Sequence, residues 1–336
     1  MPSSRPADHP AHGVAHLFVP GNADSLVAAA AFVRRAGGFG WVTLAREHRL
    51  AKLLERPLCE FASSIWSLGY AGTGDPLLPA ALSAHATHRP VWWITATTGR
   101  LLSLATEVPG VRFHNLPGGS LVPQVLSLQE EARSAQDRDY ERLGYLLARY
   151  PGAVPTSDEL VLINRLHAAS VQVRNQERSG ATLVRELAAT PVADWTGSAL
   201  LSELAAAGED RIRRSRAVLA ETPPTLAVPG GPAIWVVPSG LIDRGAHGKA
   251  LAARSFARSQ PTVLIEEVRR GKWTKAWVVL PAEGVDLWPW LMNEAARFSR
   301  DFSYTGLRGA GAIPAGQEQE FADAIWPVLE RPPETA

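Results

Sequence analysis

Within residues 14–44 a strand, a polar turn, an alanine-rich helix and a second strand follow one another, and this unit decides the class of fold. Residues 14–20 (VAHLFVP) form an apolar run of buried-strand length. Gly21-Asn22-Ala23-Asp24-Ser25 is a polar turn. Residues 26–36 read as a helix closed by Gly37-Gly38, and residues 41–44 as the next strand. The spacing is that of a parallel crossover. Its turn lies between the carboxyl end of a strand and the amino end of a helix, where α/β sheets keep their ligand sites.

The pattern repeats. Residues 62–69 (ASSIWSLG), 90–97 (PVWWITAT) and 111–116 (VRFHNL) read as further strands. Helices are expected over 45–55, 76–88, from 101 and over 121–135. This alternation predicts an α/β protein with a doubly wound, mainly parallel sheet over residues 14–150. Residues 1–13, rich in proline, serine and histidine, are expected to be disordered. From 158 to 221 the apolar period changes to three and four, which predicts two or three helices, broken near Thr190-Pro191, in a helical linker over 151–224. Proline pairs near 223 and 229–232 then open a smaller C-terminal α/β domain over 225–331. It is read as strands AIWVVP and TVLIEEV, a basic turn at Arg269-Arg270-Gly271-Lys272, a returning strand KAWVVLP, and helices over 249–258, 288–299 and 318–330.

A length of 336 residues favours two domains over one. The net charge of +1 argues against a generally basic surface but permits a local basic groove. The single cysteine, Cys59, excludes an internal disulfide and any multi-cysteine metal site, and reads as a small core residue. The amino terminus lacks the basic and apolar regions of a signal peptide, and no run approaches the roughly 18 apolar residues of a bilayer span. A cytoplasmic protein with no membrane partner is expected.

The order of elements, with several motifs, resembles the DHH phosphoesterase superfamily with its DHH-associated C-terminal domain, which includes the exonuclease RecJ, nanoRNases and cyclic-dinucleotide phosphodiesterases. That family opens with a strand entering His-x-Asp-x-Asp-Gly and a small-residue helix; here the stretch is Pro20-Gly21-Asn22-Ala23-Asp24-Ser25 followed by LVAAAAFVRRAGG. The hairpin PTVLIEEVRRGKWTKAWVVLP and the run from Gly309 through Gly311 to Gly316 resemble the C-terminal domain, without its histidine. The resemblance implies two manganese-type ions held by Asp and His, which activate water and stabilise the transferring phosphoryl. In this chain the family histidine falls on Pro20, the first aspartate on Asn22, the second-strand aspartate near Ser67, and the Asp-His-His signature on Thr95-Ala96-Thr97. Asp24 alone keeps its acid. Asp137 and Asp139 sit on an expected helix and read as solvated.

The implied function is that of a phosphoesterase-like protein with a dismantled metal site, catalytically inactive, with no cofactor, binding nucleic acid or a nucleotide in the cleft between domains. An active manganese-dependent phosphodiesterase on short oligonucleotides or cyclic dinucleotides, and a ligand-free protein-binding scaffold, are the alternatives. Single-stranded nucleic acid or a nucleotide is the expected partner, with a protein partner or a homodimer compatible. Asn22, Asp24, Thr98, Arg100, Arg269, Arg270, Lys272, Arg308, Gly309 and Gly311 are the candidate anion and nucleic-acid contacts. Each has a plain structural reading beside it. Asp24 also suits a helix amino terminus, the threonines a strand end, and the glycines a turn or helix entry. Trp273 and Trp277 could stack bases or fill a core. His85 and His88 have metal-compatible spacing but no acid beside them. The basic face at residues 211–216 would join the hairpin in a groove.

Overall fold

The computed structural model describes residues 14–37, 40–70, 77–96, 98–99, 108–116, 119–128, 134–148, 152–174, 176–243, 245–267, 273–299, 302–305 and 307–330. In chain order the strands are β1 (Ala15–Val19), β2 (Gly40–Leu44), β3 (Ser64–Leu68), β4 (Val91–Thr95), β5 (Thr98–Gly99), β6 (Val111–Asn115), β7 (Leu226–Ala227), β8 (Ala233–Pro238), β9 (Thr262–Glu267), β10 (Trp273–Val279), β11 (Ser303–Thr305) and β12 (Arg308–Pro314). The helices are α1 (Ala23–Arg35), α2 (Leu50–Leu54), α3 (Pro57–Glu60), α4 (Leu78–Ala86), α5 (Leu121–Ser127), α6 (Ala135–Leu147), α7 (Ser157–Val173), α8 (Glu177–Ala189), α9 (Ala199–Glu221), α10 (His247–Arg258), α11 (Trp288–Ala295) and α12 (Glu318–Leu329). By internal contacts the chain divides into one unit of residues 1–97 and 101–206 and a second of 98–100 and 207–336, the division falling inside α9. Among the described residues no helix is long and apolar enough to cross a membrane.

The first unit is built on a five-stranded parallel sheet of order β2-β1-β3-β4-β6. Every residue of β1, β3 and β4 is buried. Parallel strands covered on both faces must be apolar throughout, which is why they read as runs rather than alternations. On one face Phe18, Ile65, Val91 and Trp93 pack with Leu50 and Leu54 of α2 and Leu78 and Leu82 of α4. On the other lies α1, which contacts β1, β3, α5, α6, α7 and α8. A helix covered on all sides needs small apolar side chains all round, and Ala28, Ala29, Ala30 and Ala31 are each at most 1 % exposed. From β1 the chain steps to β2 on one side, then returns past β1 to β3. The sheet therefore reverses direction between β1 and β3, which places the turn after β1 at a topological switch point.

The helix expected over 121–135 ends at Ser127 instead, and a new one starts at Ala135. Ser134 and Asp137 form a capping box there, each side chain bonding the other's backbone N–H. Asp137 is not solvated: it is 4 % exposed and its carboxylate takes two bonds from Arg35, 3.2 and 3.1 Å long. Burial alone would raise its pKa; the Arg35 and Ser134 hydrogen bonds and the Arg35 charge outweigh that and hold the carboxyl below its ordinary value.

The second unit is a seven-stranded mixed sheet of order β5-β11-β12-β10-β9-β8-β7. Only β8 and β9 pair in parallel; the other pairs are antiparallel. One face buries Trp235, Leu264 and Val279 with Leu251 of α10 and Leu219 of α9. The other buries Ile234, Val263, Ala276 and Val278 with Trp288, Leu291, Phe321 and Ile325 of α11 and α12. The glycine-rich run expected as a loop is strand β12 for most of its length, paired along β10. The basic face of α9 is paired with acids. Arg211 and Arg214 reach Asp243 at 3.2 and 3.3 Å, and Asp210 pairs with both Arg213 and Arg214.

Candidate functional site

The carboxyl ends of β1, β3 and β4 are where the chemistry of this sheet would stand. The chain leaves β1 through Pro20 and Gly21, whose φ of +77° lies in the left-handed region that glycine tolerates best. A Cβ there would also stand 3.2 Å from Leu44 Cδ2. The next residue, Asn22, is the N-cap of α1: its Oδ1 accepts the Ser25 N–H at 2.8 Å. Its side-chain oxygen is thus engaged by its own helix.

Asp24 sits in the first turn of α1 and points into the protein. Its Oδ1 accepts the Ser120 hydroxyl at 2.6 Å and its Oδ2 accepts the Leu121 N–H at 2.9 Å. Ser120 is the N-cap of α5, its Oγ accepting the Val122 N–H at 3.1 Å. One carboxylate therefore ties the amino termini of two helices together. Burial pushes its pKa from 3.8 up to about 6, against the opposing pull of both hydrogen bonds. Gly144 of α6 makes the Ser120 position possible, because a Cβ there would lie 2.5 Å from Ser120 Oγ.

The residues at the other two strand ends are buried. Ser67 and Thr95 are each 1 % exposed. The Thr95 carbonyl accepts from Leu116 N at 3.2 Å and from Gln124 Nε2 at 3.1 Å. Gly69, with φ +85°, follows β3; a Cβ on it would meet Leu121 Cδ1 at 2.8 Å and Ser25 Cβ at 3.4 Å.

A pair of manganese ions does not fit this set of residues. Asn22 offers an amide already used as a cap, Asp24 a carboxylate engaged at both oxygens, and Ser67 and Thr95 buried hydroxyls, which are poor ligands for such ions. Among the described residues no three His, Cys, Asp or Glu side chains gather as a metal-holding group. The buried His16 at the start of β1 belongs to the core. Its Nε2 bonds Thr43 Oγ1 at 2.8 Å, and burial, followed by the charges of Arg56 and His85, lowers its pKa to about 4.

Thr97, Arg100, Arg269, Arg270 and Lys272 lie outside the described residues. Thr98 enters the second sheet by its backbone, pairing with Tyr304. Arg308, Gly309 and Gly311 are in β12. There the glycines admit aromatic rings: a Cβ on Gly309 would meet Trp288 at 2.7 Å, and one on Gly311 would meet the Phe302 side chain at 2.6 Å. His85 Nε2 contacts the Leu54 carbonyl at 2.8 Å. Two residues escaped the sequence reading. Ser120 was visible as a helix-entry serine, but nothing local linked it to Asp24. Arg174, just past α7, is exposed, and its Cγ would lie 3.5 Å from a Cβ on Gly21.

No family model matches the chain, and no curated protein matches its sequence. Solved structures do match its fold. RecJ from Thermus thermophilus in complex with manganese superposes with a TM-score of 0.63 at 16 % identity over 96 % of this chain; the chain spans about half of that protein, 53 %. A manganese-bound exonuclease RecJ gives 0.54 at 15 % identity, covering 96 % of this chain and 91 % of the other. CDC45 from Entamoeba histolytica gives 0.51 at 8 % identity, with 95 % of each chain covered. With its parallel first sheet and second, mixed sheet, the chain has a two-domain RecJ-like fold.

Proposed function

We propose that this protein is a phosphoesterase-like binder of single-stranded nucleic acid or a nucleotide that does not hydrolyse its ligand. The observation that carries the proposal is the state of Asp24. The one acid kept in the first motif is half-buried and clasps the start of α5 with both oxygens, so it is not presented to a metal ion. An active site of this fold would need several carboxylates and imidazoles converging on open coordination positions. The binding half of the reading is supported by the likeness to an exonuclease and by exposed Arg174 beside the Gly21 turn, a cation next to the amino end of α1. Fold alone does not carry function, so both halves need a test. Hydrolysis of a labelled short oligonucleotide and of bis-nitrophenyl phosphate is measured with manganese added, alongside anisotropy of the same oligonucleotide at rising salt. The expected result is no turnover, with binding that weakens as salt rises and falls several-fold in Arg174→Ala. Manganese-dependent turnover abolished by Asp24→Ala would establish the active phosphodiesterase. Absence of both turnover and binding would leave the scaffold.

A further inference from the structure

We propose that the outer face of α7 is a self-association surface, on which a second copy of this chain docks antiparallel about a two-fold axis. One side of α7 is core: Leu162, Ile163, Leu166, Ala169 and Val173 are buried. The opposite side has no core to serve, and polar residues are expected there. Instead Leu160 and Val161 stand side by side, 48 % and 47 % exposed, and Val154, 76 % exposed, lies just before the helix. Arg142 holds that segment against the first turn. Its Nη2 donates to the Val154 carbonyl at 3.3 Å and to Glu159 Oε2 at 2.8 Å. Exposed apolar residues are ordinary when single, but a group of them on one short surface marks a place where something docks.

The order of residues along this face selects the occupant. Ser157, Leu160, Val161 and Asn164 are all exposed and share the three-and-four spacing of one helix stripe. Read in either direction the stripe is polar, apolar, apolar, polar, with its midpoint between Leu160 and Val161. A two-fold axis through that midpoint packs the apolar pair against itself and sets Ser157 opposite Asn164 of the partner subunit, a hydroxyl facing an amide. The charges beside the stripe follow nearly the same symmetry. Asp158 and Arg165 lie about two turns apart on one flank. Asp158 is exposed and makes no ion pair or hydrogen bond within the chain. Arg165 donates from Nη1 to the Thr196 carbonyl at 2.6 Å and has no acid of its own. Antiparallel docking places Asp158 beside Arg165 of the partner subunit, and the symmetry repeats the pair. A face carrying its own apolar counterpart and its own counter-charge is complementary to a second copy of itself. One helix face is a small contact, so the dimer forms and dissociates with concentration and is not obligate. The surface is independent of the state of Asp24.

The test is sedimentation velocity of the full chain over a range of concentrations. Wild type is compared with Val161→Glu, Asp158→Arg, Arg165→Asp and the double exchange Asp158→Arg/Arg165→Asp, each checked for folding by a circular dichroism melt. The wild type is expected to pass from monomer to dimer as concentration rises. Val161→Glu is expected to weaken the dimer at least tenfold. Each single charge change is expected to weaken it several-fold at low salt, and the double exchange to recover most of the wild-type affinity. Arg165→Asp also loses the Thr196 contact, so if it does not fold, Val161→Glu and Asp158→Arg decide. A chain that stays monomeric at every concentration, a dimer indifferent to Val161→Glu, or an assembly that grows beyond two copies overturns the proposal.

Discussion

Replacing Asp24 by asparagine isolates the clasp at the switch point. The carboxyl has its pKa raised from 3.8 to about 6 on folding, chiefly by burial. A raised folded-state pKa means that the native state holds its proton longer than the unfolded chain. The associated stability is fully present below 3.8 and is lost as pH rises through about 6. Above that window the buried charge destabilises the fold by about 3 kcal/mol relative to the protonated form. Roughly half of this loss has accrued by pH 5, so on the order of 1 kcal/mol remains to be lost between pH 5 and pH 8. Asparagine does not titrate, and its Oδ1 can still accept one of the two bonds. Urea unfolding of both proteins at pH 5 and pH 8 is the assay. The wild type is expected to lose on the order of 1 kcal/mol more than Asp24→Asn over that interval. His16, whose folded-state pKa is lowered to about 4, contributes stability present above 6.5 and lost as pH falls through 4. That opposite slope is common to both proteins and cancels in the difference. Parallel pH profiles for the two would refute the burial of a charged Asp24 and reopen it as a solvent-facing ligand.

Arg35→Ala should destabilise the first unit by about 3–5 kcal/mol in urea unfolding, because it strands Asp137 without its cation; adding Asp137→Asn should restore part of that loss. Gly144→Ala should lower stability by about 1–3 kcal/mol, since its Cβ would stand 2.5 Å from Ser120 Oγ and 2.8 Å from Val122 Cβ, and a thermal melt close to the wild type would show that α5 and α6 can move apart.

The strands were legible because both faces of β1, β3 and β4 are covered, so each reads as an unbroken apolar run. The alanines of α1 likewise announced a helix with no room around it. What the pattern hid lay in pairings distant along the chain. The residues 121–135 look like one helix until Ser134 and Asp137 are seen to cap a second, held by Arg35. The glycines of β12 suggest a loop, because only the fold shows Trp288 and Phe302 lying against them. Asp24 reads as a surviving ligand or a helix-end acid with equal ease. Its partner Ser120 is 96 residues away, and no local signal chooses between the two.

The encirclement of α1 also sets a timetable for the nascent chain. Its contacts run to residues far ahead: 96 positions from Asp24 to Ser120, 102 from Arg35 to Asp137, and 154 from Arg34 to Ala188. An alanine-rich helix emerging from the ribosome has little to hold it until those partners arrive. At typical elongation rates of about 5–20 residues per second the wait is on the order of ten seconds or more. Closing such wide loops is entropically slow. The first helix among the described residues is thus completed by α8, and a chain truncated before Ala189 leaves the apolar circumference of α1 open to chaperones and to other chains.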